Sequence, residues 1–481
     1  MAELHDLSAL DAAAAIRSRE VSPVELVDHY LDRIERLDGR IGAFVTVTAD
    51  AARKQAETAE AAVLAATTST DLAPLHGVPI GIKDLNLTAG VPTKLGSALF
   101  SDFVPPIDDS VVVLLRQAGT ISLGKTATPE FGLPCYTETD TGPPARTPWD
   151  TTRLAGGSSG GAAAAVSSGF LPIAQGSDGG GSIRIPASVT GLFGLKPSRG
   201  RVSRGPLDAD SSGLSVLGPL ARTVRDAAAF LDATAIPQPG DPYWAPPLPS
   251  GESYLGWCDR VPHRLRIGRY IEPPIPGAVV DPECRTAWEN ASALLESLGH
   301  EVIDIGLPIP PQTIQAFETV WSVASHGAPI DPGRESELRP LTRYLRERGR
   351  AVTGPQYAAA LGQLTLISRQ HIAATSSYDA ILTPTLAMTP RPIGWFCGTE
   401  QEPVDPAEDF ERQKMFTPWT AVYNASGQPA ASLPLHWTPE GLPIGVMLIG
   451  RPAGEAALLA LSAQIESASP WSKRHPAIWT E

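Results

Sequence analysis

An α/β fold, with helices packed against a layered sheet, is what this sequence predicts. Two observations carry the prediction. Short apolar runs with strand character alternate with stretches of helical period through most of the chain, the pattern of α/β proteins rather than of separate all-α and all-β pieces. At 481 residues the chain can also bury a substantial core, and its 44 Gly and 47 Pro mark many loops without reaching low complexity.

The elements follow in order. Ser22-Pro23-Val24-Glu25 places Ser at an N-cap, Pro at the first helical position and Glu at the third; Leu26, Val27, Tyr30, Ile34 and Leu37 then recur at helical spacing. Residues 51–65 read as a second helix. The run from Gly77 to Ile82 is too short and too broken by glycine for a helix, so it reads as a buried strand. Ser110 is expected to cap a helix through Gln117, followed by a strand at 120–123, an Ala-rich helix at 161–168, a strand at 171–175, and a helix capped by Thr223. Strands at 265–269, 301–305, 380–383 and 443–449, a helix opened by Asp281-Pro282 and a closing helix from about 454 to 467 complete the rhythm. The Pro-rich stretch 234–262 is expected to be a surface excursion, and 308–376 a mainly helical cap or side wall, within one domain spanning 1–481.

Composition excludes several functions. A formal charge of −14 and the lack of a basic run argue against nucleic-acid binding. Cys135, Cys258, Cys284 and Cys397 have neither zinc-site nor disulfide spacing, so no metal is expected. The N-terminus lacks signal-peptide order and no run reaches about 18 apolar residues, so the expectation is a cytoplasmic protein, monomeric or homodimeric, that does not engage a membrane. Among 38 basic residues only seven are lysines.

Three glycine-rich strings invite chemistry. Gly119 to Thr126 formally matches the phosphate-loop pattern, but a helix precedes it and its middle reads as the strand itself, the reverse of what phosphate cradling needs. Gly156-Gly157-Ser158-Ser159-Gly160 contains the nucleophile-elbow pattern, with His436 and His475 downstream. An esterase using Ser158 as nucleophile would, however, need a strand directly before it, and Pro148 to Arg153 is turn-like. The third string, Gly176-Ser177-Asp178-Gly179-Gly180-Gly181-Ser182, leaves a short strand with three glycines whose N–H groups can converge on an anion.

Read together, residues 156–187, GGSSGGAAAAVSSGFLPIAQGSDGGGSIRIPA, resemble the amidase signature family, including the 24-residue separation of Ser158 and Ser182. GVPIGIKDLN around Lys83, ISLGKTATPEFG at 121–132, RTPWD at 146–150, GLFGLKPSRGRVS at 191–203 and GLPIGVMLIG at 441–450 agree. The resemblance implies a large mixed sheet flanked by helices on both faces. It also implies a Ser-Ser-Lys triad: Ser182 as nucleophile, Ser158 as bridging hydroxyl after a cis Gly157-Ser158 peptide, and Lys83 as base. Backbone N–H groups of Gly179, Gly180, Gly181 and Ser182 would form the oxyanion hole, with Gly157, Ser159, Asp178 and Arg184 supporting the loops. No cofactor enters this scheme, and the implied substrate is a small-molecule amide. Two departures bear on the substrate: Leu154-Ala155 stands where many members have Thr-Pro, and Gly179 where many have Thr.

The chemistry of the residues agrees with the assignment. A serine hydroxyl needs a base that exists unprotonated near neutral pH; Arg cannot supply one, whereas a Lys buried among Val78, Ile80 and Ile82 can. Asp84 is adjacent, but consecutive strand residues face opposite ways, so its carboxylate is expected to lie apart from the amine. Leu133, Pro134, Cys135 and Tyr136 are candidates for the acyl pocket. Trp395, Phe396, Trp419 and Tyr423 are read as core packing first and pocket second. An apolar wall would suit aryl or alkyl amides, anilides, carbamates or oligoamides, with esterase activity on the side. The alternative function is the amidase-type component of a glutamyl-tRNA amidotransferase, which usually carries Gln where this chain has Ile185 and has middle tracts absent from 205–216.

Overall fold

The computed structural model describes residues 3–68, 71–208, 210–310 and 312–481. Among them eleven strands build one sheet: β1 (Phe44–Val47), β2 (Pro79–Lys83), β3 (Ile121–Thr126), β4 (Ile173–Asp178), β5 (Phe193–Lys196), β6 (Val216–Ala221), β7 (Arg266–Arg269), β8 (Glu301–Asp304), β9 (Ala380–Pro384), β10 (Ala430–Trp437) and β11 (Pro443–Gly450). Their spatial order is β1-β3-β2-β4-β6-β5-β10-β11-β9-β7-β8. The sheet is mixed. β2 runs parallel to β3 and β4, and β7 parallel to β8 and β9, while β10 pairs antiparallel with β5 and β11.

Parallel neighbours need a crossover, and helices supply it. Ser110–Gln117 lies between β2 and β3, and Gly160–Ser167 between β3 and β4. Every residue of Gly160–Ser167 is buried, which its small side chains permit. Every residue of β2 and of β4 is buried as well, as expected of strands covered on both faces. At the start of the helix Pro23–Ile41, Ser22 Oγ accepts from Val24 N and Glu25 N, and Pro23 occupies the first turn; such a cap is worth about 1 kcal/mol. Thr223 caps Val224–Thr234 through Asp226 N. Ser110, by contrast, is the first helical residue rather than the cap. Asp109 holds the N-cap position but turns its carboxylate to Leu87 N and Asn86 Nδ2 instead of its own helix.

Four strands lack a clear signal in the sequence. β1 and β5 are only four residues long, and β6 and β10 contain Pro219 and Pro434, which argue against a strand. Pro434 is accommodated where the β10–β11 register shifts.

Between β8 and β9 come the helices Gln312–Ala324, Pro340–Arg350 and Gly354–Thr375, as the helical character of 308–376 anticipates; residue 311 lies outside the described residues. They pack on one another and on the later helices Pro406–Phe416 and Thr420–Ser426. The stretch 234–262 is mostly irregular, with one short helix, Tyr254–Trp257, and an exposed Trp244. No helix among the described residues is long and apolar enough to cross a membrane.

Candidate active site

The sheet register assembles the site. Ile80 and Gly81 of β2 pair with Ile173 and Ala174 of β4, and the same register carries Lys83, the last residue of β2, to the level of Gly176 in the second half of β4. The 23 residues between Ser158 and Ser182 are mostly the helix Gly160–Ser167 and β4, which run out and back. That path returns the chain to its start: Ser159 N donates to Ser182 O at 3.1 Å.

Lys83 is fully buried, and its Nζ lies 2.8 Å from Ser158 Oγ, 3.0 Å from Ser159 Oγ and 2.9 Å from Ser177 Oγ. Ser159 Oγ in turn donates to Ser177 O and accepts from Ser177 N. Burial pushes the Lys83 amine down to about 7, against the opposing pull of the Asp178 charge. Asp84 does point away. Its carboxylate accepts from Lys94 N and lies 3.9 Å from Lys125 Nζ.

Asp178 organises the loop that follows β4. Its Oδ1 accepts from Gly181 N (2.7 Å), Arg184 (2.8 Å) and Asn424 Nδ2 (2.9 Å), and its Oδ2 from Ile183 N and Arg184 Nε. Burial alone would raise this carboxyl, but the Arg184 guanidinium and its hydrogen bonds hold it well below the usual range. Arg184 also donates to Thr420 O and Asn424 Oδ1, while Thr420 Oγ1 donates to Gly180 O. Gly181 has φ +137°, and a Cβ there would collide with Thr420 Oγ1.

Of the four expected anion-binding N–H groups, that of Gly181 is therefore committed to Asp178. Those of Gly179, Gly180 and Ser182 make no bond to protein atoms among the described residues. The Gly157-Ser158 peptide is cis, and a Cβ on Gly157 would lie 2.6 Å from the Tyr136 backbone.

Ser182 and Gly180 open onto a cleft of about 110 Å³. Leu133, Pro134 and Cys135 line it as anticipated. Tyr136 does not: its hydroxyl donates to Asp409 Oδ2 at 2.6 Å and its ring stacks on Phe396, which places it behind the wall. Nor do Trp395, Phe396, Trp419 and Tyr423 line the cleft. Trp419 and Tyr423 are fully buried, Tyr423 bonded to Tyr270, and Trp395 packs edge-on against Phe396.

Much of the apolar wall instead comes from Ile309, Phe317, Trp321, Phe410 and Val422, with Trp321 packed against the cluster that holds Phe410. Phe317 and Trp321 stack at 5.5 Å and cover the glycine loop; a Cβ on Gly179 would meet the Trp321 ring at 3.2 Å. The glycine at this departure therefore goes with the indole beside it. Ser177, Thr420 and Asn424 join the site without having been expected there. They have no motif of their own, although Ser177 adjoins the third string.

The competing motifs dissolve in the structure. Ile121–Thr126 is strand β3, with Lys125 Nζ buried against Asn86 O and Thr93 Oγ1. His436 bonds Glu283 at 2.9 Å and His475 stacks on Trp479, so neither ring serves Ser158.

The family model for amidases matches residues 25–459. The chain belongs to the amidase signature family. Members hydrolyse carbon–nitrogen bonds of amides, and this chain is an amide hydrolase. It is 37% identical to a putative amidase of Synechocystis sp., covering 96% of this chain and 88% of that protein. It is 36% identical to a component of the glutamyl-tRNA(Gln) amidotransferase of Synechococcus sp., covering 96% of this chain and 97% of that protein. Among solved structures, a 6-aminohexanoate cyclic dimer hydrolase superposes with a TM-score of 0.90 at 31% identity, covering 99% of this chain and 100% of that one. A bacterial aryl acylamidase superposes with a TM-score of 0.86 at 29% identity, covering 98% of each.

Proposed function

We propose that this amidase cleaves apolar or aryl carboxamides, anilides and related carbamates or oligoamides through an acyl-enzyme on Ser182, with side activity on esters. The observation that carries the reading is the 2.8 Å contact between Ser158 Oγ and a fully buried Lys83 amine, beside a cleft that Ser182 lines. A neutral amine has two N–H donors and one lone pair. Ser159 and Ser177 suit the donors, and the Ser158 hydroxyl suits the lone pair.

In the forward step Ser182 Oγ bonds to the carbonyl carbon, its proton passes to Ser158 Oγ, and the Ser158 proton passes to Lys83 Nζ. The carbonyl electron pair moves onto oxygen, with the uncommitted N–H groups of Gly179, Gly180 and Ser182 as its candidate donors; one such donor is worth about 3 kcal/mol. Collapse breaks the C–N bond, and the leaving amine takes its proton from Ser158, which is reprotonated from Lys83. Water then repeats the sequence on the acyl-enzyme. Asp178 and Arg184 act as positioning residues for the loop.

The amidotransferase reading draws on the 36% identity to the Synechococcus protein. Against it stands Ile185, which adds an apolar surface to the cleft where the amidotransferase component usually carries Gln. Hydrolysis of an aryl acylamide p-nitroanilide by the isolated chain is expected, and it should fall to background in Ser182→Ala. Turnover retained by that variant, with the wild-type rate dependent on no other protein, would sink the Ser182 assignment.

A further inference from the structure

The cleft has one polar feature that the acyl-transfer scheme leaves unused. Glu318, on the helix Gln312–Ala324, and Lys414, on the helix Pro406–Phe416, face each other across it with Lys414 Nζ 2.7 Å from Glu318 Oε1. They are the two charged side chains of a lining that is mostly apolar, and both are mostly enclosed, 16% and 18% exposed. Arg348 holds the other oxygen of Glu318 at 2.9 Å, and Glu411 lies 2.6 Å from Lys414 Nζ.

The remaining polar side chains of the wall are spent. Gln413 bonds Cys135 N and Asp409, Thr417 bonds Thr420, and Thr313 bonds Pro310 O. An ammonium has three donors, so Lys414 keeps one, and each Glu318 oxygen retains a lone pair.

The charges in this cluster balance: two cations, Lys414 and Arg348, against two carboxylates, Glu318 and Glu411. An anionic tail would meet two carboxylates and a cationic tail two cations. A neutral amide group suits both free positions, its carbonyl accepting from Lys414 and its N–H donating to Glu318. The geometry points to Lys414 and Glu318 as a distal subsite that selects substrates carrying a second, neutral amide beyond an apolar spacer, that is, α,ω-diamides and oligoamides. The inference rests on the amide reading of the Ser182 site.

Its test is equilibrium binding to the full-length Ser182→Ala protein by titration calorimetry. The probes are succinamide, adipamide and suberamide, each against the monoamide, the monoamide acid and the ω-amino amide of the same chain length. At least one diamide should bind about tenfold more tightly than all its matched partners, the worth of one charge-assisted hydrogen bond. Adding Lys414→Met should bring that ratio to about one, and Lys414→Arg should restore much of it. Equal affinities across all probes, or a diamide preference that survives Lys414→Met, would overturn the subsite. If the preference holds but wild-type protein does not hydrolyse the preferred diamide, the amidase mechanism on Ser182 fails while the subsite stands.

Discussion

Replacing Lys83 by Met separates the catalytic use proposed for this amine from its energetic burden. Met preserves length and apolar bulk but removes the ionisable group. The buried amine is held down at about 7 against an ordinary 10.5, which favours its neutral form by roughly 5 kcal/mol. A group whose folded-state value is depressed binds fewer protons folded than unfolded between those two limits, so folding stability rises with pH across that window. The slope is about 1.4 kcal/mol per pH unit. Lys125 and Lys196 are also held down by burial and contribute slopes of their own, but they are present in both proteins and cancel in the difference. Urea unfolding of wild type and Lys83→Met at about pH 7.5 and about pH 9.5 should therefore show the wild type gaining roughly 3 kcal/mol on the variant as pH rises. Over the same range kcat/KM of the wild type should follow an acid limb with its midpoint near 7, and the variant should lose about 100- to 10,000-fold. A stability difference that stays flat from about pH 7.5 to about pH 9.5 would refute the buried, neutral-amine argument.

Two further outcomes follow from the same reasoning. Arg184→Met leaves the Asp178 carboxylate buried with its ion-pair partner gone and should destabilise the protein by about 3–5 kcal/mol in urea titrations, whereas Arg184→Lys should recover only part, because one ammonium cannot reproduce the guanidinium's fork. Burial raises the Glu466 carboxyl to about 7, and the nearby Asp226 charge adds to the effect. The raised group contributes stability that is present below its unfolded value of about 4.5 and lost as pH rises towards 7, so Glu466→Gln should flatten the fall in melting temperature between those limits.

The groups proposed to react could be picked out because they sit in short strings whose chemistry is local: glycines that free backbone N–H groups, serines at fixed separation, and one lysine in an apolar strand. The cleft beside Ser182 could not. Phe317, Trp321, Glu318, Phe410 and Lys414 stand far along the chain from Ser182, on helices whose sequences announce only amphipathicity, and only tertiary packing turns those faces inward. The aromatic candidates Trp395, Phe396, Trp419 and Tyr423 take the core packing read first for them, and Tyr136, a pocket candidate, joins them by stacking on Phe396. In the fold, short apolar runs between helical stretches were readable as strands even where glycine or a charge interrupts them, whereas β6 and β10 hid behind their internal prolines. The loop after β4 gave a mixed result: three glycines in a row implied convergent N–H groups, yet Asp178 claims that of Gly181, a contact fixed by three-dimensional position.

The anchoring of the Asp178 loop by Asn424 also has a consequence for how the protein is made. Ser182 and its loop leave the ribosome long before Asn424, which follows Asp178 by 246 residues. At about 5–20 residues per second, synthesis of that interval takes roughly 12–50 s. During that time the nascent chain already carries Lys83, Ser158 and Ser182, but the arginine–carboxylate pair behind Ser182 lacks two of its holders, Thr420 and Asn424. Strand β5 likewise waits for β10 to cover its edge. The anchoring of the loop that carries Ser182 is thus completed late in translation, when Thr420, Asn424 and strand β10 dock.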